Sequence, residues 1–76
     1  MGKTKLSIAV KALRKESGLT QEDLAMKSGV GLSFVRSLEQ GKQSLRMDKV
    51  NLLLDLFNYE LIAAKKQNNE TSRNIP

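Results

Sequence analysis

The chain has 76 residues, enough for one small domain near the size at which a single core is marginal. It holds no Cys and no His, which removes disulfides, thiolate nucleophiles, Cys metal sites and the commonest general base and metal ligand. Thirteen Lys and Arg against eight Asp and Glu give a net charge of +5, which favours an anionic partner. No apolar run approaches the ~20 residues of a membrane span. The N-terminus also lacks a signal-peptide core, so a cytoplasmic protein is expected.

In chain order, a short basic lead precedes Thr4, which is placed to cap a first helix over residues 5–17. Leu6, Ala9, Val10 and Leu13 share one face of it at helical spacing, and Ile8 falls on the opposite side. Gly18 is the stop, with Arg14 and Lys15 in the last turns, where positive charge suits the helix dipole. Thr20 caps a second helix ending at Ser28, and Leu19 with Leu24 can form a hydrophobic staple around that cap. Leu24, Ala25 and Ser28 share its inner face. Gly29 can take a positive φ and reverse the chain tightly. If Gly31 caps a third helix over 32–40, Val30 and Val35 make a second staple, and Phe34, Val35 and Leu38 share a face. Gly41 ends that helix, and the basic, polar loop of Lys42, Gln43, Ser44 and Arg46 follows.

A fourth helix is expected from about residue 46–48 to Phe57, with Asp48 in its first turn. Met47, Val50, Leu53, Leu54 and Phe57 form its core face. Leu52 and Leu56 project elsewhere and suggest a contact surface. Asn58 suits a left-handed C-cap. Tyr59 to Ile62 is rich in strand formers, and a lone strand would have to pair, most simply with its copy in a second subunit. The dimer surface is therefore assigned to Leu52, Leu56, Tyr59 and Leu61. The expected organisation is an all-α domain of about four helices over residues 1–64, including this dimerisation element. A disordered polar tail is expected over 65–76.

Within the window QEDLAMKSGVGLSFVRSLEQ, from Gln21 to Gln40, Ala25 is fifth, Gly29 ninth, Val35 fifteenth and Leu38 eighteenth. The small Ala25 permits close approach of a neighbouring backbone. Val35 and Leu38 can close the third helix onto the second. This pattern resembles the helix-turn-helix of phage-repressor type. The wider run LTQEDLAMKSGV…FVRSLEQGK is similar to the Cro/repressor class of that family, over roughly Val10 to Tyr59. The resemblance implies a lambda-repressor-like bundle that binds double-stranded DNA, with no catalytic residue, cofactor or metal. It also implies an ion pair between Arg14 and Glu39, and a Gln21 that binds a phosphate and braces the recognition helix.

A recognition helix enters the major groove with its N-terminal residues toward base edges. The outward positions here are Leu32, Ser33, Arg36 and Ser37. Arg36 can bridge O6 and N7 of a guanine, or reach a phosphate instead. Ser33 discriminates weakly, and Leu32, where the family often has a polar residue, can contact only a thymine methyl or a sugar. Lys42, Ser44 and Arg46 are placed to grip the backbone. The leading expectation is a sequence-specific, homodimeric repressor on a two-fold symmetric operator. The FNYEL segment looks like antitoxins of the HipB kind, which implies a second possibility: a DNA-binding protein that also neutralises a cognate kinase toxin. A third is a non-DNA interaction module on a helical scaffold. An enzyme is the weakest reading, because no acid–base constellation stands out.

Overall fold

In a computed structural model, residues 2–66 are described and form four helices. α1 (Lys5–Glu16) begins at Thr4, whose hydroxyl accepts from the Ser7 amide at 3.0 Å while the Thr4 amide donates to Ser7 Oγ at 2.9 Å. α2 (Gln21–Ser28) begins with the same reciprocal box, in which Thr20 Oγ1 accepts from the Asp23 amide and Asp23 accepts from the Thr20 amide, each at 3.0 Å. Each box satisfies amides that a helix start leaves open. Gly29 then adopts φ 81° and turns the chain into Val30 and Gly31, from which α3 (Leu32–Glu39) starts. α4 (Met47–Asp55) follows a loop and begins after Arg46 with no side-chain cap.

α3 packs against α1 and α2, and α2 also packs against α4. The core is drawn from all four helices and the turn: Val10, Leu24, Ala25, Val30, Val35, Leu38, Val50, Leu53 and Leu54 are buried. Leu6, Leu32, Phe34, Leu45 and Phe57 pack around it half-buried. Both staples have their helical member fully buried, Leu24 for α2 and Val35 for α3. Gly41 sits at the exit of α3 with φ 94°, and a side chain there would run into the carbonyl of Gly2. The N-terminal arm thus lies across this turn, and Lys3 Nζ donates to the Glu39 carbonyl at 2.9 Å.

Three expectations change. The inner face of α1 is centred on Ser7, Val10 and Arg14, with Ala9 exposed and Leu6 and Leu13 only half-buried. A rotation of the buried stripe by about one residue brings a hydroxyl and a guanidinium inward. Met47 is 66% exposed instead of buried, because it is the first residue of α4, and the core contacts begin with Val50. α4 ends at Asp55 rather than Phe57: the amides of Leu56, Phe57 and Asn58 bond to the carbonyls of Leu53, Leu54 and Asp55, a tightened last turn. Asn58 closes it at φ 62°, and the Tyr59 amide returns to the Leu54 carbonyl at 3.0 Å. Residues 59–62 form no strand within the described chain and are exposed. The tail expected over 65–76 lies outside the described residues from residue 67 onward.

Candidate nucleic-acid interface

α3 is fixed by a buried polar hub. Arg14 of α1 donates from Nε to Glu39 Oε2 at 2.6 Å and from Nη2 to Glu39 Oε1 at 2.9 Å. Its Nη1 donates to the Leu19 carbonyl at 2.9 Å, and Gln21 Nε2 donates to Glu39 Oε1 at 3.1 Å. One carboxylate at the end of α3 is therefore tied to α1 and to the first residue of α2. The hydrogen bond to Glu39 raises the Arg14 pKa against the opposing effect of burial, and the charges of Glu39 and Glu22 add to it. Burial pushes the Glu39 carboxyl up. Hydrogen bonds from Arg14 and Gln21 and the charges of Arg14 and Lys11 outweigh it and hold the group below its usual range.

The outer side of α3 and the loop after it enclose a cleft of about 280 Å³. Ser33 and Ser37, one turn apart on α3, line it together with Lys42, Ser44 and Arg46 of the loop. Lys49 of α4 lies there too, its ammonium 5.8 Å from the centre of the Phe34 ring. Three cations and three hydroxyls thus converge on one opening. Arg46 is held by Asp48, with Nε to Oδ1 at 3.1 Å and Nη2 to Oδ2 at 2.6 Å, on the open surface. That hydrogen bond depresses the Asp48 carboxyl.

Among the residues singled out from the sequence, Ser33, Ser37, Lys42, Ser44 and Arg46 come together in this cleft. Arg36 stands outside it, exposed, with Nη2 3.8 Å from Glu22 Oε2. Leu32 is half-buried against the core, which leaves only part of its side chain for a base edge. Gln21 is engaged in the hub. Leu52, Leu56, Tyr59 and Leu61 are exposed and lie on α4 and the segment after it, away from the cleft lining. Sequence reasoning passed over Lys49 and Glu22. For Lys49 a signal existed, since it follows Arg46 by three residues at the start of a helix and shares its face. Glu22 became informative only when the crossing of α2 and α3 put it beside Arg36.

Two short helices joined at a left-handed glycine, the second locked from behind and flanked by cations in front, define a helix-turn-helix domain. The sequence profile of the family described as Helix-turn-helix matches residues 10–62, and the chain belongs to that family, a family of DNA-binding domains rather than enzymes. It is similar to the uncharacterized HTH-type transcriptional regulator y4mF of Sinorhizobium fredii (strain NBRC 101917 / NGR234), 46% identical over 41 residues. The match covers 54% of each protein, so the chain spans about half the length of that curated relative. No helix among the described residues is long and apolar enough to cross a membrane.

Proposed function

We propose that the chain is a sequence-specific transcriptional regulator that represses by occupying a palindromic operator as a homodimer. The observation that carries this reading is the pairing of a rigidly held α3 with the cationic, hydroxyl-rich cleft in front of it. Lys42, Ser44, Arg46 and Lys49 supply donors for backbone phosphates. Gln21 has one amide N–H committed to Glu39 and a second left for a phosphate. Arg36 reads a guanine edge, with weaker contributions from Ser33 and Ser37 and an apolar contact from Leu32. Repression needs no chemistry, because an occupied operator excludes polymerase. The sequence similarity to a protein named as a transcriptional regulator supports the same reading.

One such motif reads few base pairs, too few for a selective operator. Two copies related by a two-fold axis place their α3 helices ~34 Å apart, on successive major grooves. The exposed Leu52 and Leu56 supply an apolar pair that can meet its own copy across that axis, and Tyr59 and Leu61, also exposed, follow in the segment after α4. Residues 59–62 can then pair as antiparallel strands across the axis. A HipB-like antitoxin with a kinase toxin as partner rests on the FNYEL segment, whose Tyr59 and Leu61 side chains are exposed.

The test is selection of bound duplexes from a random pool, followed by titration at several salt concentrations and sedimentation of the free protein. The expected outcome is a two-fold symmetric consensus, affinity that falls steeply with salt, and a dimer at micromolar concentration. Flat salt dependence rules out the DNA reading and favours an interaction module. A clean monomer rules out the homodimer and favours a different protein as the cover for the leucines.

A further inference from the structure

Glu22 sits in the first turn of α2, directly after Gln21, with its carboxylate on the outward side of the motif. A negative charge there suits the helix dipole. Asp23 beside it already provides one and completes the capping box, whereas Glu22 takes no part in the box. Its Oε2 lies 3.8 Å from Arg36 Nη2, and the two side chains remain 64% and 54% exposed. A carboxylate thus stands beside the exposed Arg36, the α3 side chain that the DNA-binding reading turns toward a base edge.

The two modes of DNA binding respond to that carboxylate differently. Non-specific affinity comes almost wholly from cations neutralising phosphates, so an acid on this surface opposes it. A guanine contact depends instead on a directed fork of N–H groups. Guanidinium has five donors, so a contact through Nη2 leaves others free to meet O6 and N7.

We propose that Glu22 is a specificity-determining positioning residue: it turns Arg36 away from phosphates and toward a base edge, and it opposes phosphate-only binding. The inference rests on the DNA-binding reading above and deepens it. It widens the gap between operator and non-specific DNA mainly by weakening the latter, a repulsive element added to an attractive one.

The experiment compares wild type, Glu22→Gln, Glu22→Asp, Arg36→Ala and the Glu22→Gln/Arg36→Ala double variant. The probes are the duplex selected by the wild type and a scrambled duplex of equal length, at several salt concentrations. Glu22→Gln is expected to tighten the scrambled duplex about five-fold and the selected duplex about two-fold or less, with a steeper salt slope on the former. It also flattens the base preference at the position read by Arg36. Glu22→Asp keeps the charge on a shorter stem, so scrambled binding stays weak while the base preference flattens. In the Arg36→Ala background, Glu22→Gln still tightens scrambled DNA but no longer alters any base preference. Equal tightening on both duplexes, or a change confined to thermal stability, overturns the proposal and leaves DNA binding intact. A wild type that binds both duplexes equally overturns the proposal and the DNA reading together.

Discussion

Two arginines in this molecule are held by carboxylates at the same 2.6 Å distance, one on each side of α3. Behind the helix, Arg14 and Glu39 are 10% and 4% exposed; in front of it, Arg46 and Asp48 are 68% and 66% exposed. The geometry is alike and the consequences are not. A buried pair broken on one side leaves a charge with no water to receive it, whereas a surface pair exchanges one well-solvated state for another. The hub behind α3 is therefore structural and the pair in front is free to be functional. A helix that must present side chains to a groove needs both: immobility behind it and cations in front that can change partners.

The largest effect expected from this contrast is at Glu39. Glu39→Ala should cost about 3 kcal/mol in urea unfolding, because Arg14 keeps its buried position without its main acceptor. Replacing both partners by apolar residues, as in Arg14→Met/Glu39→Leu, should recover much of that loss. If the single variant is as stable as the wild type, the hub is not what holds α3.

Acid should reach the same hub by another route. The Glu39 carboxyl lies below its usual range when folded, so between its folded and unfolded pKa values the unfolded chain binds more protons. Stability from this group is fully present above the ordinary carboxylate value and is lost as pH falls from there through the depressed folded value. Asp23 and Asp48 are also depressed, Asp23 by its hydrogen bonds with Thr20 and Asp48 by that from Arg46, and they act in the same direction. Thermal unfolding of wild type and Glu39→Gln across acidic pH checks this: the variant should show the shallower dependence. Parallel curves would remove Glu39 from the account.

The two sides of α3 were not equally legible. The motif itself was readable because its signals are local: Thr20 and Gly29 bound α2, and the Leu19–Leu24 and Val30–Val35 spacings fix how the chain enters each helix. In α1 the apolar pattern pointed to Leu6, Ala9, Val10 and Leu13, yet Ser7 and Arg14 took inward places. A periodicity that counts only apolar residues cannot see a polar side chain whose partner is distant in sequence, and Arg14 was found through family resemblance. Met47 misled for a related reason: apolar spacing does not mark where along α4 the core begins. The end of α4 differs by two residues because Phe57 packs against the core from a tightened turn. The cleft in front of α3 was readable as a list of residues. Its completion by Lys49 over Phe34 needed the fold to bring the start of α4 to the Phe34 ring.

In front of α3 the expected effects appear in binding rather than stability. Arg46→Ala should leave thermal unfolding almost unchanged and weaken selected and scrambled duplexes alike, with the salt slope reduced by about 1 per protomer. Loss of affinity for the selected duplex alone would make Arg46 a base reader and move it out of the phosphate-binding group.

The smallest expected effect separates the acid of the rim from the acid of the motif. Asp48 occupies Arg46 through both carboxylate oxygens, so a phosphate must compete for that guanidinium. Asp48→Asn frees Arg46 and removes a negative charge beside the cleft, while its position in the first turn of α4 makes the acid mildly favourable for the helix. The expected outcome is a slightly lower Tm and about two-fold tighter binding to selected and scrambled duplexes equally. Equality is the informative part, because Glu22→Gln should tighten the two duplexes unequally. If Asp48→Asn instead weakens both, the acid's role is to hold the Arg46 fork in its phosphate-binding posture, and the front pair resembles the hub behind α3 more than its exposure suggests.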